Sequence, residues 1–135
     1  MTFSQWYLCR GRIPRRTWWL HYALVLLLFS FLAASADASM GYPAFAPPAE
    51  PSGVYDHVGG PVSLFVSLFT LVPSISSSVA RLHDRGHSAW WLLWMLVPVA
   101  GWFLLFVQNG FLRGDGGPNR YGPAPGRPVV DPVGV

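Results

Sequence analysis

Lysine is absent from this chain, acidic residues number only six, and charged side chains of either sign make up 11% of its 135 residues. A soluble domain carries about 25% charged residues. The 52% of apolar residues is more than a water-facing fold of this size can hide. The charge that is present argues against a nucleic-acid surface. All nine basic residues are arginine, four of them within the first 16 positions, and no basic stripe is interleaved with exposed aromatics. The single cysteine, Cys9, has no partner in the chain, so no intramolecular disulfide forms and the fold does not depend on an oxidising compartment.

What is abundant is unbroken apolar sequence. Three segments, Trp18 to Ala36, Val62 to Val79 and Ala89 to Leu112, contain no Asp, Glu, Lys or Arg. Each reaches or approaches the roughly 20 residues that about 30 Å of hydrocarbon demands of a helix. Backbone groups in lipid must satisfy one another, which makes these segments helices. The expected fold class is all-α: an integral membrane protein with three transmembrane helices, the third kinked at Pro98. A second reading of the third segment is a re-entrant turn at Pro98 to Gly101, with arms of about 15 Å that do not cross. The first segment has a competing reading as a signal peptide, because Arg15 and Arg16 precede an apolar run ending in Ala34-Ser35-Ala36. Its length and its boundary aromatics Trp18, Trp19 and Tyr22 favour a permanent span.

Arginines number four before the first segment, none in 37–61, two in 80–88 and three after Leu112. Three spans with the N-terminus inside place six inside and three outside, the better of the two orientations under the positive-inside rule. The expectation is therefore a multi-pass protein with a cytoplasmic N-terminus. Residues 1–125 read as one membrane domain. The proline-rich stretch 37–61 is expected to be an irregular external loop, and 126–135 a flexible C-terminal tail. From Gly114 to Pro123 the chain is a run of turn formers. Phe3, Trp6, Tyr7 and Arg10 fall at helical spacing and predict a short interfacial helix.

In the second span Ser63, Ser67, Thr70, Ser74 and Ser77 repeat every three or four residues, and Arg81 continues the stripe. Small hydroxylated residues at that period let membrane helices approach closely and bond across the contact. The other reading is a polar path lined by hydroxyls, which needs an oligomer to enclose it. Pro73 removes a backbone donor mid-helix and predicts a bend.

Between the second and third segments stands Arg81-Leu82-His83-Asp84-Arg85-Gly86-His87-Ser88, the candidate site. His83 and His87 are four apart with Asp84 between them, a spacing that would place both imidazoles on one helix face as metal ligands, with His21 as a third. Gly86 weakens that helix, and no metal or other cofactor is expected. A catalytic reading would use His83 as general base, but no nucleophile motif, carboxylate pair or phosphate loop accompanies it. The structural reading has Asp84 pairing with Arg81, Arg85 or an N-terminal arginine, fixing how the spans meet. Arg12, Arg15, Arg16, Trp18, Trp19, Trp90 and Trp91 are read as anchors at the membrane boundary.

The Leu-His-Asp segment with Trp90-Trp91 following, Gly11-Arg12, Arg15-Arg16 and Trp18-Trp19 at the start, Pro98 and Gly101, and the motif Asn119-Arg120-Tyr121-Gly122 near the end together resemble a known family. The chain from about Gly11 to Pro125 resembles the bacterial inner-membrane proteins grouped as domain of unknown function 805. Ala80 stands where that family often has a second arginine before Arg81, and Thr17 where an acidic residue often precedes the aromatic pair. The resemblance implies a plasma-membrane protein of a few spans with no established activity. The expected function is non-enzymatic: a cytoplasmic charged turn that docks the spans and contacts anionic lipid or a partner protein. The alternatives are a component of an oligomeric transporter and, further off, a metal-dependent enzyme. The expected partners are the lipid bilayer and either a homo-oligomer or another membrane protein, with no nucleic acid.

Overall fold

The structure is a computed structural model that describes residues 2–42 and 60–126. Most of the expected external loop (43–59) and nearly all of the expected flexible tail (127–135) lie outside the described residues. All regular elements among the described residues are helical.

Helix α1, Phe3–Tyr7, opens on a capping box in which Thr2 and Gln5 satisfy each other's backbone N–H groups. Helix α2 runs over Arg15–Ser39 and helix α3 over Pro61–His83. Among the described residues these are the two helices long and apolar enough to cross a membrane. Both outrun the apolar segments that announce them, and Asp37 and Arg81, polar residues near their ends, are bonded within the fold. The first six residues of the apolar stretch in α2, Trp18–Ala23, form a π-helical turn. Such a turn inserts a residue into the helical register. It lies where Tyr22 is fully buried and stacks on Trp6 of α1, ring centroids 5.9 Å apart, while Trp19 reaches the other way to Gly110. Large apolar side chains cover the outside of the pair, Leu27, Phe31 and Phe65 each being about two-thirds exposed, as lipid-facing positions require.

The far end of the helix pair is closed by Asp37. It was expected at the start of the external loop, but it lies in the last turns of α2, fully buried. Its two carboxylate oxygens accept the backbone N–H groups of Val62 (3.0 Å) and Ser63 (2.7 Å) at the start of α3. A carboxylate on one helix thus caps the positive end of the next. Gly60 makes the approach possible: it sits at φ +121°, and a Cβ there would lie 2.5 Å from the Asp37 carboxyl carbon. Replacing Asp37 with alanine is expected to lower stability by about 1–2 kcal/mol, seen as an earlier thermal midpoint in detergent. An unchanged midpoint would mean the cap carries no weight.

The third apolar segment is not a third continuous helix. It divides into a 3₁₀ helix, Ala89–Leu96, and helix α4, Ala100–Gly110. Between them Val99 adopts φ +62°, a conformation costly for a β-branched residue. Pro98 stands in this break and ends the first arm. The two arms fold against each other. Trp102 donates its indole N–H to the carbonyl of Met95 (3.1 Å), and Gly101 approaches the Trp94 carbonyl so closely that a side chain there would collide with backbone. Both outer ends of the segment return to the C-terminal end of α3, where the first arm follows His83 and the end of α4 is bonded by Arg81.

Candidate functional site

Arginine dominates the end of the helix pair opposite Asp37. The N-terminal arm runs along the last turns of α3: the Cys9 N–H donates to the Ser76 hydroxyl (3.3 Å), which in turn donates to the carbonyl of Tyr7 (3.2 Å), and the Ile13 N–H reaches the carbonyl of Ala80. Ala80 is buried under that contact. Burial pushes the Cys9 thiol above its ordinary value and leaves it protonated.

This arm delivers Arg12 to Asp84. One oxygen of the Asp84 carboxylate accepts Arg12 Nε at 3.1 Å and the other accepts Arg81 Nη1 at 2.5 Å. All three side chains are nearly or fully buried, with exposures of 2%, 4% and 0% for Arg12, Asp84 and Arg81. Two guanidiniums on one carboxylate leave a buried excess of positive charge, and the remaining donors find backbone carbonyls. Arg12 donates to the carbonyls of Gly117 (2.8 Å), Gly122 (2.9 Å) and Asp115 (2.7 Å). Arg81 donates to those of Asn109 (2.8 Å) and Leu112. Burial pushes the Asp84 carboxyl up, against the pull of Arg81 and Arg12. The knot therefore ties together the N-terminal arm, the end of α3, the end of α4 and the segment 114–122.

That last segment, composed of turn formers, is held in place along its length. The Asp115 N–H donates to the Asp84 carbonyl (2.7 Å), and Gly114 lies against the Asp84 carboxylate where no Cβ fits. Asn119 donates to the His83 carbonyl (3.0 Å) and to the Asp115 carboxylate (3.0 Å). Asn119 and Gly122 pair across a tight turn that presents Tyr121. Tyr121 stacks on His83 at 3.8 Å, and Arg120 donates to the Gly86 carbonyl (3.1 Å) with its guanidinium over the Tyr121 ring.

The remaining candidates are dispersed. His87 packs on Trp91 with the two rings tilted, and burial with the nearby Arg85 holds it below its ordinary value. His83 and His87 thus face different aromatic partners, and no group of three metal-ligating side chains occurs among the described residues. Arg85 places one guanidinium nitrogen in the interior without a partner among the described residues. Trp90 is exposed. Trp18 packs at a right angle to Trp19, and Arg15 reaches the Phe111 carbonyl at 3.3 Å. The hydroxyl stripe of α3 bonds mainly to its own helix, Thr70 to the Val66 carbonyl and Ser77 to that of Ser74. Two hydroxyls cross to another element: Ser63, at the start of the stripe, meets Asp37 of α2, and Ser76, one residue off the stripe, meets the N-terminal arm.

Two long apolar helices closed at one end by a buried ion-pair knot define a small all-helical membrane protein. The chain belongs to the family described as "Protein of unknown function (DUF805)", whose model matches residues 7–123. It is similar to the inner membrane protein YhaH of Escherichia coli strain K12, 31% identical over 118 residues that span 86% of this chain and 85% of the relative. YhaH of Escherichia coli O157:H7 matches equally. The inner membrane protein YhaI of strain K12 is 38% identical over 64 residues, covering 47% of this chain and 53% of the relative. No solved structure matches.

Proposed function

We propose that this is a non-enzymatic inner-membrane protein with two spans and a re-entrant third segment, whose Arg12–Asp84–Arg81 knot assembles a basic platform on the cytoplasmic face for anionic lipid or a partner protein. The observation that carries the reading is Arg81. From the end of α3 it bonds the carbonyls of Asn109 and Leu112, at the far end of the third segment, while the near end of that segment follows the same helix. Arms of 8 and 11 residues measure about 16 Å each, half the hydrocarbon thickness. Under this topology the described arginines on both sides of the third segment share one face. That removes the three external arginines a third span would create, and the positive-inside rule makes this face cytoplasmic. A platform of this kind holds shape and charge, with its polar donors engaged by the protein's own carbonyls, which favours a structural or recruiting role over chemistry.

Single cysteines in a Cys9→Ser background test the topology. Arg10→Cys and Pro123→Cys are expected to share one protection pattern toward a reagent that cannot cross the membrane, and Met40→Cys to show the opposite pattern. Pro123 and Met40 labelling together would sink the re-entrant reading.

A further inference from the structure

The knot consumes the charges of Arg12, Arg81 and Asp84 internally, so anything that binds this face must use the arginines left over. Arg10, Arg15, Arg16, Arg113 and Arg120 are exposed at this end. Arg16 makes no hydrogen bond or ion pair among the described residues. It borders a cavity between the start of α2 and the end of α4, lined by Arg15, Arg16, Trp19, Leu20, Gly110 and Phe111. The cavity is held open by specific contacts. The Trp19 indole N–H donates to the Gly110 carbonyl at 2.9 Å, and its ring meets Phe106 and Phe111 edge-on, 5.9 and 6.1 Å away. A Cβ at Gly110 would press on that indole at 3.0 Å, so glycine keeps the wall in place. Arg15 is drawn across the mouth by its bond to the Phe111 carbonyl.

We propose that this notch binds one anionic phospholipid, its phosphate between Arg15 and Arg16 and the first part of its acyl chain against Trp19, Leu20 and Phe111. The charge of the notch complements a phosphate, and its other side is apolar. α2 also begins there with no side-chain cap, since Pro14 offers no acceptor, so its free N–H groups add to the attraction. A soluble phosphate satisfies only the first part of this surface, whereas a membrane phospholipid satisfies both. The inference rests on the membrane placement of this end proposed above.

The test compares binding of phosphatidylglycerol and phosphatidylcholine of equal chain length to the full chain in neutral detergent micelles, by native mass spectrometry or thermal shift. Two arginines near a headgroup predict a preference for phosphatidylglycerol of about tenfold to thirtyfold. Arg16→Gln is expected to cut that preference about fivefold, Arg16→Lys to keep most of it, and Arg10→Gln, which removes the same charge elsewhere, to leave it unchanged. Equal losses in Arg16→Gln and Arg10→Gln would make the effect a diffuse basic surface and overturn the notch. So would an absence of preference in the unaltered protein, or an equal response to glycerol phosphate without acyl chains. A micelle has no inside or outside, so any of these failures leaves the topology to be judged by the cysteine pattern alone.

Discussion

Asp84→Ala is expected to leave little folded protein to recover from the membrane. The substitution removes the only carboxylate that Arg12 and Arg81 meet among the described residues, and both guanidiniums are almost fully buried. Removing one member of a buried ionic group costs about 3–5 kcal/mol, because the charges left behind have lost their compensation without regaining water. That is a large share of the 5–15 kcal/mol by which a protein of ordinary stability stays folded. The same physics predicts that the intact knot adds little net stability over a well-packed apolar substitute. Its contribution is to geometry, since it dictates which segments meet. Asp84→Asn, which keeps an acceptor oxygen but not the charge, should fall between the two. The measurement is the monodisperse fraction after detergent extraction, followed by the thermal midpoint of what survives.

The second large effect is at Gly101, and its sign depends on the fold. In a continuous third helix, alanine would replace a flexible residue with the best helix former and stabilise by about 0.5–1 kcal/mol. In the hairpin, the added Cβ runs into the backbone carbonyl of Trp94, which has no rotamer by which to escape. The arms must separate, at a cost in the range of overpacked cores, about 1–3 kcal/mol or more. Gly101→Ala is therefore expected to lower the thermal midpoint in detergent. Gly117→Ala, where the added carbon meets nothing within 4 Å, is the control for which little change is expected. A stabilised Gly101→Ala would support a continuous third helix.

The helical membrane class was legible because hydropathy over 18 or more residues leaves few alternatives, and the family was legible in the Arg81 to Ser88 turn with its trailing tryptophans. The division of the third segment was harder. Pro98 and Gly101 fit a kinked span, the expected form, and also admit a reversal, and the contact that bears on the choice joins Leu112 to Arg81, thirty-one residues apart in sequence. In the sequence, Asp84 has several arginines as candidate partners. Arg12 is 72 residues away, and periodicity within one helix carries no information at that separation. Asp37 reads as a loop residue in the sequence because charge marks the end of an apolar run. The signal that it caps α3 was Gly60-Pro61 across the loop: a proline at the first turn of a helix, preceded by a glycine whose backbone can pass close to a carboxylate. Ser76 was hidden by a stronger pattern beside it, the hydroxyl stripe. The order in 114–122 arises from tertiary bonds to Arg12 and His83, which turn propensity alone does not encode.

Arg12 and Asp84 act as one unit that fastens the N-terminal arm and the end of α3 to the segment following the third apolar stretch. A double-mutant cycle tests this directly, with unfolding free energies in the same detergent for the parent protein, Arg12→Ala, the milder Asp84→Asn and the pair. The double variant is expected to be less damaged than the sum of the single variants by about 1–3 kcal/mol, because removing Arg12 takes away one of the charges that Asp84→Asn strands. Effects that add to within about 0.5 kcal/mol would mean the two residues are independent, and would contradict it.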